Sequence, residues 1–522
     1  MPIPDSASRS AQRPIESAPR RDASFVRTEL ASALTRRAKW IVAILCAMAA
    51  VRVFYGAATL PFFANTDENA HFDLVHKLAR GNWPTKNEAF HDPETLDVWI
   101  LDGTDEYLNR PGTLGVESGF RPPVRDWAMN SVRAQYIRQQ RTERGRIPNH
   151  EAHEPPVYYA LAAIWYEVGR AFGLSPASIV YWVRFFNVPL YAALVATSYA
   201  FVRPHFGVIT GLAVAALTAF FPNAVFFTIS NDLLSPLTVL LTLLLLVRWY
   251  ESDDPGLVLA FGTGLMAASA VLVKLTNAAV LAAVAAAVAS SCRRRRLGTS
   301  IRVAWPLVTG ALLPPMLWCL RNRFVLGDWT GTTAKIQAQT WTPKPLDQLL
   351  DHPLFTWAGL CGFLTRLCGS FFEGDVVWHA DPVQFGFSET FFVATAASLP
   401  VLGVVAILLR RKREPQAAFV AGLSALVVLG YVALLSVLSL RWDFGINPFP
   451  SRAFPFFAFG RLAAGAIVPF LLLYVSGIEA LFGRRPILVA AAATVAATMM
   501  VLMQLALLLE ARSSEFNWFH LP

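Results

Sequence analysis

Charge is scarce in this chain. Of its 522 residues only 16% are charged, 55% are hydrophobic, and the mean hydropathy is positive. That balance excludes a set of soluble domains. Repeated apolar runs of about 20 residues are instead long enough to cross a bilayer. Cysteine is scarce too. Cys46, Cys292, Cys319, Cys361 and Cys368 show no zinc-type clustering. Only Cys361 and Cys368 share one external segment, where a disulfide is compatible with the sequence but unsupported by it. A long basic tract is also missing. The net charge of +9 sits in short clusters at span ends, a pattern that orients a membrane protein and gives no reason to invoke nucleic acid. No internal repeat stands out. The helical zinc-protease pattern HExxH is absent, since the order from His150 to Glu154 is HExHE. The apolar run 40–61 is long and lacks a small-residue cleavage site, so it reads as an uncleaved first span.

What is present is a polytopic all-α membrane protein. Residues 1–37, rich in Ser, Pro, Ala and Arg, read as a disordered cytoplasmic tail. Residues 38–510 form one transmembrane domain, and 511–522 an external tail. The expected spans are 40–61, 179–202, 206–224, 228–249, 256–273, 276–291, 301–320, 389–409, 416–438, 457–479 and 486–509. A further apolar segment, 156–172, is short and carries Glu167 and Arg170. Parity decides its status. Arg36-Arg37, Arg293 to Arg296, Arg410 to Arg413 and Arg484-Arg485 all belong in the cytoplasm. Eleven spans satisfy this if 156–172 is an interfacial or re-entrant helix. The loop 62–178, with its interfacial helices, then lies outside, with 322–388, 439–456 and the C-terminal tail. Asn231-Asp232 and the turn at Lys274 reach the same side, so a site is expected there.

The first external loop opens with adjacent carboxylates, Asp67 and Glu68, followed by His71. If Thr66 caps a helix, 67, 71, 74 and 78 share a face, with 68, 72, 75 and 79 beside it. The two acids then head an apolar face that packs against protein. Asn69, Asp73, His76, Lys77 and Arg80 lie opposite. Acids in a first turn also favour the helix dipole, which explains their presence but not their side. The loop ends in His150, Glu151, His153 and Glu154 before Pro155-Pro156 and the pair Tyr158-Tyr159. Glu151, His153 and Glu154 with Asp67, Glu68 and His71 suit a divalent metal; a solvated polar loop is the alternative. Asp232 stands at the outer end of a span, where a carboxylate is expensive unless paired or used. Its other reading is a helix start capped by Ser230. Lys274, Arg321, Arg323, Arg441, Arg452 and Arg461 are external cations that orientation does not require. Arg461 lies within an apolar run, at the depth where a lipid-linked phosphate would arrive. Alternatively it pairs with an acid such as Asp443 or Glu373. Trp329, Trp341, Trp357, Phe371, Phe372 and Trp378 fit an interfacial belt, and with nearby acids would also suit sugar stacking.

These motifs together resemble a known group. The run from Thr66 to Trp83, the His153 to Trp165 stretch, Ile229 to Leu237 and Phe459 to Phe470 are similar to the multispan GT-C glycosyltransferases. More narrowly they resemble the DUF2142 group of predicted bacterial membrane proteins, related to protein mannosyltransferases and aminoarabinose transferases. The resemblance covers most of residues 40–480. It implies transfer from a polyprenyl-phosphate-linked sugar to a glycan, lipid or protein acceptor on the outer side of the inner (plasma) membrane. It implies a first-loop general base, which fits Asp67 with Glu68 next in line. It implies substrate contacts that fit His71, His153, Glu154, Asp232, Lys274 and Arg461. The chain departs from the pattern at Arg461, where relatives often carry a Gln-Gly-Arg-Tyr run and this sequence has Phe459-Gly460-Arg461-Leu462. No large C-terminal soluble domain of the oligosaccharyltransferase kind is present. The resemblance implies no cofactor beyond a divalent metal, and leaves that open. A flippase for lipid-linked saccharides is the main rival, although the inner halves of the spans are mostly Ala, Leu and Val; a glycan polymerase or ligase is the other.

Overall fold

The structure is a computed structural model. It describes residues 23–521 apart from 64–66, 84, 86–89, 105, 107–121, 375–376, 380, 384–385 and 446–449. Long apolar helices dominate it, as they must where lipid offers no hydrogen-bond partner to exposed backbone. Among the described residues nine helices are long and apolar enough to cross a membrane.

Helix α1 spans Ala23–Thr59. It begins well before residue 38, so the irregular tail expected to reach residue 37 is helical from Ala23. The first loop contributes α2 (Glu68–Ala79), α3 (Pro93–Asp102), α4 (Ser131–Arg144) and α5 (Val157–Ala171). Helices α6 (Pro176–Phe185) and α7 (Asn187–Ala219) follow as one stretch of 44 residues. It breaks at Gly207, whose φ of 88° is a conformation glycine adopts without a Cβ penalty. Then come α8 (Leu234–Glu251), α9 (Leu257–Val273), α10 (Val280–Arg294) and α11 (Leu297–Val325). The segment after α11 holds the short α12 (Thr333–Ala338) and α13 (Trp357–Glu373), and α14 (Phe387–Arg410), α15 (Pro415–Arg441), α16 (Ile467–Leu481) and α17 (Pro486–Arg512) follow. Among the described residues, strands are limited to two antiparallel pairs of two residues each, 342–343 with 442–443 and 377–378 with 381–382.

Ion pairs tie the helix ends into two groups. At one end Arg184 meets Glu68, Lys274 meets Asp232, Lys335 meets Glu151, Arg461 meets Asp67, and Ser514 beyond α17 donates to Glu106. At the other end of α8, Glu251 lies near His205, Arg294 near Asp253, and Arg302 near Asp254. Arg484 after α16 grips Glu414 before α15.

Helix α5 answers for the ambiguous segment. Its 15 residues rise about 22 Å. Its exposed stripe is Leu161, Ile164, Val168 and Phe172, while Tyr158, Tyr159, Ala162 and Tyr166 are buried. Trp165 and Trp182 stack at 4.6 Å and exchange indole N–H bonds to each other's carbonyls, each 2.7 Å. That clamp fixes α5 against α6.

Three features add to the sequence reading. The side of α2 opposite the apolar face is buried as well: Asp73, His76 and Lys77 are each at most 3% exposed. The first loop folds back over it, and Asp73 accepts from Asp92 N (2.7 Å), Thr95 Oγ1 (2.5 Å), Asn149 Nδ2 (2.7 Å) and Lys77 Nζ (2.9 Å). Second, Cys361 and Cys368 lie on one helix, α13, and are free thiols. Third, the aromatics between α11 and α14 divide. Trp329 and Trp357 are exposed, whereas Phe371, Phe372 and Trp378 are buried and Trp341 is wedged edge-on against Phe444 and Phe457.

Candidate active site

Asp67 occupies the N-cap position of α2 with φ 70° and ψ −1°, a left-handed conformation that Asp tolerates better than most residues. Its side chain makes no capping bond. The cap expected at Thr66 lies outside the described residues. Turned away from its own helix, the Asp67 carboxylate reaches two distant parts of the chain. Oδ1 accepts from His150 Nε2 at 2.8 Å, and Oδ2 accepts from Arg461 Nη2 at 2.9 Å. Arg461 is at the start of its span, in the 3₁₀ turn Gly460–Ala466 before α16. Its acid partner here is Asp67; Asp443 pairs with Arg452 instead.

The end of the first loop is pinned beside this pair. Asn149 donates to Ala70 O (3.0 Å) and to Asp73, and accepts from Glu151 N (2.9 Å). His150 and Glu151 therefore project toward Asp67, with 3.5 Å between His150 Nε2 and Glu151 Oε1. Lys335 of α12 enters from the segment between α11 and α13. Its Nζ is 2.5 Å from Glu151 Oε1 and 3.5 Å from Glu154 Oε1. Glu154 accepts from Asn231 Nδ2 at 3.2 Å, and the next residue, Asp232, is paired with Lys274 and accepts from Ser230 Oγ. One polar network thus runs from Arg461 through Asp67, His150, Glu151, Lys335 and Glu154 to Asn231.

The charges set one another. Burial raises the Asp67 carboxyl, but the His150 hydrogen bond and the Arg461, His150 and Lys335 charges outweigh it and hold it well below the ordinary carboxylate value. Burial lowers His150, and the bond to Asp67 with the Glu151 charge more than restores it, leaving it above the ordinary imidazole value. Glu151 is held low by Lys335 despite its burial, and Lys335 is raised in return by Glu151 and Glu154. Burial leaves Glu154 on the raised side. His71 is pushed down to about 4 by burial, which keeps its ring neutral. It shares a 2.7 Å bond with the Tyr159 hydroxyl.

Not every expected residue joins. Glu68, expected next in line as base, is fully buried. Arg184 Nε and Nη2 grip its two oxygens at 2.7 and 2.6 Å, and Ile229 N adds a third bond at 3.0 Å. Arg184 also donates to the carbonyls of Ala57, Leu60 and Pro61. With both oxygens so held, Glu68 ties α1, α2 and α6 together and stands outside the Asp67 network. His153 points to Thr85 O (3.2 Å), away from Asp67. Among the other cations singled out in the sequence, Arg323 donates to Gly327 O and Arg441 to Lys344 O, both outside the network.

Of the six residues expected to hold a metal, Asp67 and Glu151 come together with His150, and Glu154 lies beside Glu151 on the far side of Lys335. Ligand atoms of Asp67, His150 and Glu151 lie within 4.8 Å of one another. The donor types suit a divalent ion, but the set is not free to receive one. Lys335 sits on Glu151, Arg461 on Asp67, and His150 Nε2 must carry a proton to donate to Asp67. As arranged here, the residues do not fit a metal.

Eight solved chains resemble the fold. Among them is the archaeal oligosaccharyltransferase AglB from Archaeoglobus fulgidus in complex with an inhibitory peptide and a dolichol-phosphate, at 11% identity and TM-score 0.45, covering 91% of this chain and 56% of that one. The same organism's enzyme tethered to an acceptor peptide with an NVT sequon aligns at 12% identity and TM-score 0.43, over 91% and 55%. Its complex with Zn and sulfate aligns at 14% identity and TM-score 0.35, over 69% and 44%. This chain spans about half the length of those proteins. No curated protein matches it. The family described as predicted membrane protein DUF2142 matches residues 53–447, which is more than half of the chain, and the chain belongs to that family.

Proposed function

We propose that the protein is a membrane glycosyltransferase that moves a sugar from a polyprenyl-phosphate carrier to an extracytoplasmic acceptor. The observation that carries this reading is the meeting of Asp67 and Arg461, 394 residues apart, at one end of the helix bundle. A carboxylate suits a base, and a guanidinium suits a phosphate. The resemblance of the surrounding motifs to GT-C glycosyltransferases supports the same chemistry. Eleven crossings accord with the end contacts. The stretch broken at Gly207 counts as two, and α9 returns the chain from Asp254 to Lys274.

In the proposed step an acceptor hydroxyl attacks the anomeric carbon. Its proton passes to Asp67, the bond from carbon to the phosphate oxygen breaks, and the electron pair leaves on the polyprenyl phosphate. Arg461 and Lys335 take up the charge that develops there. The depressed proton affinity of Asp67 matters here. As long as Arg461 is bound to it, Asp67 is a weak base. A donor phosphate that draws Arg461 away removes that charge and strengthens the base only when substrate is present. His150 keeps its bond to the other oxygen and orients the carboxylate.

The test is Asp67→Asn, which keeps the shape and removes the base. Envelope glycans from a deletion strain complemented with this variant should lack the product made by wild type. Transfer by the purified protein should fall by ~10²-fold or more. Normal product with Asp67→Asn would sink the assignment.

A further inference from the structure

We propose that Lys335 stands in for a divalent cation, so that the Asp67 cluster works without a metal. The functional half of this rests on the reading of that cluster as the transfer site; the ligand chemistry does not. Asp67, His150 and Glu151 offer two carboxylates and one imidazole within 4.8 Å, a donor set of the kind divalent ions choose. Each donor is already engaged. Glu151 Oε1 is 2.5 Å from the Lys335 ammonium, Asp67 Oδ2 is 2.9 Å from Arg461, and the proton on His150 Nε2 occupies its remaining contact with Asp67. Three acids, Asp67, Glu151 and Glu154, already face Arg461, Lys335 and His150. A dication would have to expel the lysine and strip the imidazole proton.

Lys335 is not a chance visitor from a loose loop. Its helix, α12, follows Gly331, whose φ is 77° and where a Cβ would lie 2.9 Å from His153 O. A side chain there would push α12 off the first-loop end. Beyond α12, Trp341 N donates to Ile336 O at 3.1 Å, and the indole is wedged between Phe444 and Phe457. Both ends of α12 are thereby fixed, and the ammonium is held over two glutamates. Of its three donors, Glu151 and Glu154 use two, which leaves one for a phosphate oxygen.

The experiment is a Mn²⁺ titration of the full chain in lipid nanodiscs, followed by electron paramagnetic resonance. Wild type should bind no stoichiometric Mn²⁺, and its transfer activity should be unchanged by EDTA. Lys335→Ala, or Lys335→Met if the alanine variant fails to fold, should gain one bound Mn²⁺ per chain. Adding Glu151→Gln should abolish that gain. Wild-type binding of one Mn²⁺ that Glu151→Gln removes would overturn the proposal, and this arm needs no Lys335 variant. A folded Lys335 variant that still binds nothing would overturn it too, because the cluster would then not be a cation site at all. Absence of transfer in wild type would strike the glycosyltransferase reading and leave the titration standing.

Discussion

Asp67 and Glu68 are neighbours, and each binds an arginine from a distant part of the chain. Their surroundings differ. The Glu68–Arg184 pair is wholly out of solvent, with side-chain exposures of 0% and 0%; the Asp67–Arg461 pair keeps 15% and 17%. Arg184 spends its remaining donors on the carbonyls at the end of α1, whereas Asp67 shares its carboxylate with an ionisable histidine. One pair has nothing left to offer a ligand. The other is an ion pair that a phosphate and a hydroxyl can each enter by competition. Burial, rather than the identity of the paired groups, separates a brace from a site.

The largest expected effect breaks the buried side of this comparison. Arg184→Ala leaves a carboxylate unpaired in the interior, at a cost of about 3–5 kcal/mol. Expression and melting temperature should drop sharply, and the folded fraction should transfer sugar at a near-normal rate. Glu68→Gln should behave alike but more mildly, since a neutral amide still bonds the guanidinium. A Glu68→Gln protein of wild-type stability but no activity would return Glu68 to the chemistry and erase the distinction.

The half-open pair should respond in the opposite way. Arg461→Ala removes a partly exposed contact, so stability should change by at most about 1 kcal/mol. Turnover should fall by roughly 10²-fold, as expected when one charge stabilising the leaving group is lost. Arg461→Lys keeps the charge without the planar fork and should fall between the two. Turnover per folded molecule and donor saturation measure both. Full turnover in Arg461→Ala would remove the phosphate role and leave Arg461 a partner of Asp67 only.

The legible part of the molecule was the part written in periodicity and charge clusters. Apolar runs announced long helices, and the basic groups announced their ends. Asp67 stood out because an acid heads an apolar face. Arg461 stood out because a cation sits in an apolar run. Arg184 carried the same signal: it lies in the run from Tyr181 to Phe186, inside an expected span, where an arginine demands a partner. Glu68 is that partner. Lys335 had no such mark. It belongs to a six-residue helix in a polar segment, and its place beside Glu151 follows from a tertiary fit around Gly331 and Trp341 that no local pattern encodes. Asp73 was hidden likewise, since the segment that covers it returns from residues 92–95 and 149.

The smallest expected effect sharpens the open side of the comparison through pH. His150 has a folded-state proton affinity above the ordinary imidazole value, through its bond to Asp67 and the Glu151 charge acting against burial. Its contribution to stability is therefore complete below the ordinary value near 6.5 and is lost as pH rises through the folded value. Asp67 has the opposite sign. Its depressed carboxyl contributes above the ordinary value near 4 and fails only as pH falls well below that. Between pH 6 and 9 only His150 of this pair titrates. The wild-type melting temperature should decline across that window, by the equivalent of about 1 kcal/mol or less for a pair this exposed. His150→Gln retains a donor for Asp67 without a titrating proton, so its melting curve should lack the His150 share of the slope. Arg184→Lys, which leaves the Asp67 pair intact, should keep the wild-type slope at a lower overall stability. An unchanged slope in His150→Gln would mean that the imidazole is neutral in the folded protein. In that case Asp67 Oδ1 still accepts an N–H, but from an uncharged ring, and Arg461 and Lys335 alone hold the carboxylate low.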